Sequence, residues 1–344
     1  MALQPAREVA PGVVLVDTGY VRPGLAASWI VRGRDGAAVI ETGSARSVPR
    51  ILEGLAAHGL GPEDVSHVVV THVHLDHAGG AGALMRELPR AKLVAHPRGA
   101  RHLVDPAKLA AGTMAVYGEE RFRELYGELV PIPAERVVEA GDGFVLDLGV
   151  RPLRFQDAPG HARHHFVVLD ETSRGWFTGD TFGLSYRETD SAKGPFLFPT
   201  TTPVQFDPDA LHATIDRMIA ARPERMYLTH FGMLEGRIPE AAAQLHAQID
   251  GHVARARAAP EGPTRHASLV AALGEQLLTS LEEHEAPVTR EQALALFDTD
   301  LELNAQGLEV WLDAQANALG RHRGRSPRRI SAPPPRPRPP ASPS

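Results

Sequence analysis

The stretch VVVTHVHLDHAGG, from Val68 to Gly80, sets an apolar run directly against three histidines and an aspartate. Successive β-branched residues favour a buried strand, so HVVVTHVH (His67–His74) is expected to be extended up to the polar cluster. Side chains alternate along a strand, which would put His72 and His74 on one face. Asp76 and His77 then fall on the turn that follows, and Gly79 and Gly80 admit the close approach of another segment. Four side chains of metal-binding type thus occupy the six positions 72–77. A polar strand end with satisfied hydrogen bonds is the bland reading, and partners elsewhere in the chain decide against it.

Three such partners follow, each after an apolar run: His161 in DAPGHARHH, Asp180 in WFTGDTFG and His230 in YLTHFG. Strand ends are where α/β folds build their sites. The chain has no cysteine, so thiolate ligands, disulfides and a cysteine nucleophile are excluded, and any metal must sit on nitrogen and oxygen. Histidine is abundant, at 17, but His67, His96, His102, His212, His246, His252, His266 and His284 lack a comparable setting and read as surface or core residues.

Length and composition frame these residues. A chain of 344 residues can hold one large α/β domain plus a helical region, and 43% hydrophobic with 23% charged residues is the balance of a soluble globular protein. No apolar run approaches the roughly 18 residues of a membrane helix, and MALQPAREVAPG lacks the basic start and apolar middle of a secretory signal. A cytoplasmic location without a membrane partner is therefore expected. The segment Arg321–Ser344 carries seven arginines and no acid. With it set aside, 29 basic residues stand against 42 acidic, a formal −13. Such a body repels nucleic acid, so any such partner is expected only through the tail, whose Pro, Arg and Ser content predicts disorder.

Along the chain, VVLVDTG, AASWIVRG and AAVIETG read as strands, SVPRILEGLAAHGL as a helix, then AGALMREL as a helix and KLVAH as a strand. RGARHLV and GEERFRELYGEL read as helices. A second β-rich stretch runs from RVVEAGDG through HHFVVLDE to RGWFTGD, followed by the helix DPDALHATIDRMIAA and the strand RMYLTH. Two similar halves of this kind predict an α/β fold with two sheets and helices outside. Residues 238–320 read as almost wholly helical, with Thr289 an N-cap. The expected units are a catalytic domain over 1–237, a helical C-terminal region over 238–320 and the tail over 321–344.

Taken in order, THVHLDHAGG, PGH, TGDT and LTHF resemble the metallo-β-lactamase-fold superfamily of metal-dependent hydrolases, over about residues 10–235, and within it the hydroxyacylglutathione hydrolase and lactonase branch. The resemblance implies an αβ/βα four-layer sandwich of two mixed β-sheets flanked by helices, with the site along one edge of both sheets. It implies two divalent ions, zinc first and iron or manganese as other occupants. His72, His74 and His161 would hold one ion, Asp76, His77 and His230 the other, and Asp180 would bridge them. The activity implied is attack of a metal-bridging hydroxide on a thioester, ester or lactone carbonyl of a small molecule, with Asp76 orienting the hydroxide as well as ligating. Metal binding lowers the pKa of water from about 16 to about 7, which makes that nucleophile available at neutral pH.

Further residues follow from the same comparison. Glu41 in VIETGSA stands where the family commonly carries Asp, and it is expected either to accept a hydrogen bond from a ligand histidine or to cap the next helix. His165, four residues beyond His161, and its neighbour His164 are expected to line the pocket or steady a ligand. Tyr186 and Arg187 in FGLSYRE lie on a loop placed to grip substrate. Two departures narrow the inference: His161 follows His74 by 87 positions, which predicts a sizeable insertion near the site, and Val73 replaces a histidine often present in glutathione-thioester hydrolases. β-Lactam hydrolysis fits less well, since a bridging aspartate resembles the other branches. A phosphodiesterase or nuclease-type hydrolase and a non-catalytic di-iron oxygen-binding or ligand-sensing protein stand as alternatives, and a homodimer is left open.

Overall fold

The computed structural model describes residues 6–202 and 204–323. Most of the arginine-rich tail read as disordered, residues 324–344, lies outside the described residues. The first half runs β1 (Ala6–Ala10), β2 (Val13–Asp17), β3 (Ala27–Arg32), β4 (Ala37–Ile40), α1 (Val48–Ala57), β5 (Val65–Val69), α2 (Leu75–Ala78), α3 (Ala81–Glu87), β6 (Lys92–Ala95), α4 (Pro97–Val104), α5 (Ala107–Tyr117), α6 (Glu119–Tyr126) and β7 (Val137–Glu139). The second runs β8 (Val145–Asp147), β9 (Pro152–Asp157), β10 (Phe166–Asp170), β11 (Gly175–Gly179), α7 (Pro208–Ala220), β12 (Arg225–Leu228) and β13 (Gly232–Glu235). Four helices close the described chain: α8 (Ile238–Ala258), α9 (Arg265–Glu283), α10 (Arg290–Leu296) and α11 (Asp298–Arg323).

The strands form two mixed sheets, one in the order β1 to β7 and the other in the order β13-β12-β11-β10-β9-β8. Parallel pairing joins β4 through β7 in the first and β11 with β12 in the second. Alternation of side chains explains the layers. Val13, Leu15, Trp29 and Val31 face inward with Phe155, Phe166, Phe177 and Tyr227 of the opposite sheet, while Val14, Val16 and Ile30 face outward against Ile51, Leu55, Leu84 and Met85 of α1 and α3. Across the second sheet, Trp176, Met226 and Leu228 point away from that seam into a core shared with α7 to α11. The result is a four-layer αβ/βα sandwich with C-terminal helices on its second face.

Four elements were not expected: the edge strands β1 and β13, the short helix α2, and α5, whose sequence AKLAAGTMAVY carries Gly and Thr inside a weak apolar pattern. The 87-residue spacing is accounted for by α4, α5 and α6 together with β7 to β9. Thr289 does cap α10, its hydroxyl accepting from the Gln292 N–H at 3.2 Å. Among the described residues no helix is long and apolar enough to cross a membrane.

The last helix reaches back to the loop that follows β11. Buried Asn304 of α11 accepts from the Thr201 N–H at 2.6 Å and donates to the Pro199 carbonyl at 3.0 Å. Asn304→Ala leaves a buried donor and a buried acceptor unpaired, so it is expected to cost about 2–4 kcal/mol of unfolding free energy. Chemical denaturation measures it, and a loss under about 0.5 kcal/mol, the range of an inert surface change, would contradict this account.

Candidate metal centre

The parallel pairing decides where the polar residues gather. Glu41 follows β4, the histidine cluster follows β5, Asp180 follows β11 and His230 follows β12, all at strand C-terminal ends. The loops carrying them are tied across the seam: the Phe166 N–H donates to the Thr71 carbonyl at 3.0 Å, and the Ala27 N–H donates to the Thr229 carbonyl at 2.8 Å. One edge of both sheets therefore carries the site.

Locally the chain differs from the extended run anticipated. The strand stops at Val69, residues 70–74 bend, and Asp76 and His77 sit in the short helix α2 rather than on an open turn. Helical winding after His74 swings His77 back to within 4.1 Å, ring centre to ring centre, of His72. Gly80 then passes so close to Thr42 and Ser44 that a Cβ would lie 2.6 Å from either carbonyl oxygen, as its position after the cluster suggested.

Seven side chains converge in two groups, His72, His74, His161 and Asp180 in one and Asp76, His77 and His230 in the other. Asp180 stands between them. Its Oδ2 lies 3.4 Å from His161 Nε2, and its Oδ1 lies 3.1 Å from His77 Nε2 and 3.6 Å from His230 Nε2. His230 Nε2 is also 3.2 Å from Asp76 Oδ2, and His74 Nδ1 is 3.1 Å from His161 Nε2. A tetrahedral ion with bonds of about 2.1 Å needs neighbouring ligand atoms about 3.4 Å apart, and these spacings bracket that value.

Outer partners fix which ring nitrogen faces the cavity. The His72 Nδ1 lies 3.1 Å from Thr71 Oγ1, the His230 Nδ1 donates to the Leu25 carbonyl at 2.9 Å, and the His77 Nδ1 donates to Glu41. Thr200 donates its hydroxyl proton to the Asp180 carbonyl at 3.2 Å and so accepts from His161 Nδ1 at 3.1 Å. Four histidines thereby present an Nε2 lone pair to the centre, whereas His74 presents Nδ1. Two buried atoms there, His72 Nε2 and Asp180 Oδ1, have no hydrogen-bond partner. Orphaned lone pairs of this kind fit cations.

The electrostatics agree. Desolvation holds His72 and His165 well below the usual imidazole range and His74 down at about 3, with neighbouring imidazoles adding to the effect. His77 and His230 move the other way against desolvation: the Asp180 and Asp76 carboxylates raise His77 well above its usual value and His230 to about 9. Inward-facing carboxylates thus demand positive charge in this half of the cavity.

Of the supporting residues, Glu41 is buried at a positive φ of 65° and accepts from the Thr71 N–H at 2.7 Å as well as from His77, so its carboxylate holds the loop and the ring together. His165 accepts from the Asp180 N–H at 3.2 Å, beside His164. Tyr186 is buried with its hydroxyl donating to Asp300 of α11 at 2.9 Å, and Arg22 lies 4.8 Å over its ring. Arg187 turns back onto the carbonyl of Ser185, at 2.9 Å, and toward Asp190. Sequence reasoning missed Thr71, Thr200, Leu25 and Asp300. Only Thr71, next to the cluster, had a signal in the sequence, since the others come from remote segments and one acts through its main chain.

Glu41→Gln turns an amide N–H toward the His77 Nδ1–H and so forces that ring to change tautomer or partner. Metal affinity is expected to fall about 10–100-fold, measured by competition with a chelator. Unchanged retention in a folded variant would remove Glu41 from this role.

Comparison with known proteins follows the same lines. The family model of the metallo-beta-lactamase superfamily matches residues 21–230, more than half of the chain. The metallo-beta-lactamase fold-containing protein ST1585 of Sulfurisphaera tokodaii is 28% identical over 182 residues, covering 52% of this chain and 65% of that protein. Its crystal structure superposes with a TM-score of 0.59 at 22% identity, over 87% of this chain and 98% of that one. The human acyl-coenzyme A thioesterase MBLAC2 is 27% identical, covering 51% of this chain and 64% of that protein. A hydroxyacylglutathione hydrolase of Cupriavidus taiwanensis is 31% identical, covering 46% and 49%. The chain thus spans between about half and two thirds of the length of these relatives. From the family match, supported by the fold and by the order of its histidines and aspartates, the chain belongs to the metallo-beta-lactamase superfamily.

Proposed function

We propose that the chain is a dinuclear metal hydrolase acting on thioester, ester or lactone bonds of small acyl compounds. His72, His74 and His161 would hold one divalent ion and Asp76, His77 and His230 the other, with Asp180 shared. The observation that carries this reading is Asp180 itself, which turns one carboxylate oxygen toward each set of nitrogens. Bound there, divalent ions such as zinc would supply Lewis acidity and a water of lowered pKa.

The protein's own residues supply position and enclosure. Thr200, Glu41, Leu25 and Thr71 hold the four Nε2 lone pairs inward, so the cradle needs little reorganisation on binding. Asp76 and His74 are partly exposed where the other ligands are buried, which puts Asp76 at the open side, where its carboxylate can accept a hydrogen bond from an incoming water and orient it. Beside them Leu75 packs with Phe122 and Tyr126 of α6, flanked by Leu109 and Met114 of α5. The thioesterase and hydroxyacylglutathione hydrolase among the relatives point to an acyl substrate rather than a phosphodiester.

The division of labour proposed is a catalytic unit over residues 1–237 and a helical region over 238–320 that braces it. Asp300, its carboxyl raised to about 6 by burial, meets Tyr186, and Asn304 fastens the loop that carries Thr200. Tyr186 would then line the substrate side, whereas Arg187 is committed to its own loop.

Purified protein is expected to carry about two equivalents of divalent metal. Asp180→Asn should lose metal and more than about 100-fold in kcat/KM on thioesters together, since a shared ligand matters more than an outer partner. A panel of thioesters, esters, lactones, β-lactams and phosphodiesters reads the substrate class. Turnover confined to phosphodiesters, or full activity in the Asp180 variant, would overturn the proposal.

A further inference from the structure

The sequence contains a short repeat outside the centre just described: LHATID at 211–216 and LHAQID at 245–250. The first lies on α7 and the second on α8. In each, Leu and Ile four residues apart are buried in the same core, Leu211 with Ile215 and Leu245 with Ile249. His and Asp follow each of them by one position, so His212 and Asp216 share one flank of α7, and His246 and Asp250 share one flank of α8. Where the helices pack, these flanks meet.

Each histidine takes the other helix's aspartate. His212 Nε2 lies 3.1 Å from Asp250 Oδ1, and His246 Nε2 lies 3.2 Å from Asp216 Oδ1. The rings lie edge to edge and nearly coplanar, with centroids 4.8 Å apart and 19° between their planes, and their Nδ1 atoms approach to 2.5 Å. A carboxylate opposite each Nε2 places the proton there, which leaves two Nδ1 lone pairs pointing at one another. Two neutral acceptors at that distance repel, so the arrangement calls for a cation between them.

We propose that His212 and His246 form a second metal site, binding a transition-metal dication of the zinc, nickel or copper class between their Nδ1 atoms. Imidazole nitrogen is the ligand chemistry those ions share. Asp216 and Asp250 orient the rings and cancel the ion's two charges. Water completes the coordination, because the imidazoles are about a quarter exposed and the carboxylates about three quarters. Spreading the Nδ1 atoms by about 1 Å brings them to the ligand spacing of a tetrahedral ion, within reach of small side-chain rotations on a helix surface. A shared proton is the competing occupant, and it would leave the four groups with a net charge of −1.

The ion would staple α7 to α8. Its effect bears on the first centre, since the Asp207 N–H, at the start of α7, donates to the Gly160 carbonyl at 2.8 Å and Thr214 donates to the Pro159 carbonyl at 2.9 Å, both next to His161. Stiffening α7 thus stiffens the loop that presents that histidine.

Equilibrium dialysis of the full chain against zinc tests the site, comparing wild type with His212→Gln/His246→Gln. Wild type is expected to bind one zinc more than the double variant and to show a zinc-dependent rise in Tm that the variant lacks. Asp216→Asn/Asp250→Asn should keep the extra equivalent with an affinity about tenfold weaker. Failure of the first centre to load would lower all three proteins equally and leave the difference between them intact. Equal zinc stoichiometry in wild type and the histidine variant, the result a shared proton gives, overturns the proposal.

Discussion

The carboxylate of Asp180 has to face two groups of imidazole nitrogens at once, and the surrounding structure is arranged around that demand. Its main-chain N–H donates to His165, and its carbonyl accepts from Thr200, so the residue is held through the peptide units on either side of it. Gly179 before it adopts φ 50°, and a Cβ at that position would lie 2.4 Å from His165 Nε2. The chain can turn there only without a side chain. A carboxylate held this way pays little further ordering entropy when it binds a cation, which is the physical basis of a preorganised site.

Rigidity of that order comes from the sandwich. The inner faces of the two sheets meet through Trp29 of the first, whose ring lies 5.1 Å from Tyr227 and 5.9 Å from Phe177 of the second, so strand ends from different sheets keep a fixed spacing. The ligands lie just beyond those ends, where main-chain hydrogen bonds cross the seam. The C-terminal helices extend the same logic: they cover the second sheet's outer face with a continuous core, and α11 returns Asn304 and Asp300 to the loops beside the centre.

Much of this was legible because the decisive signals are local. The β-rich runs at Val13–Asp17 and Ala27–Arg32 give buried strands, and the apolar runs before Thr71, Asp180 and His230 give the strand ends. What escaped was determined by partners. Leu25 acts through its carbonyl, which no residue type announces, and Asp300 lies 70 positions beyond His230 on a helix whose face toward the loop depends on packing. The pairing of LHATID with LHAQID was equally hidden, since His212 and His246 look ordinary until α7 and α8 lie side by side. Even within the central motif, the bend at residues 70–74 and the helical turn over Asp76 and His77 come from closing the cavity rather than from strand periodicity.

The sequence by itself determined the chemical inventory: nitrogen and oxygen side chains only, in an order and spacing that match the family. It also determined the order of strands and helices, because β-rich runs and helical periodicity are properties of consecutive residues. Only the tertiary structure decided which nitrogen each histidine presents, which oxygen of Asp180 faces which group, and that the last helix braces the loop around the centre. Those choices depend on hydrogen bonds between segments far apart in the chain, and such bonds exist only once the two sheets have closed on each other.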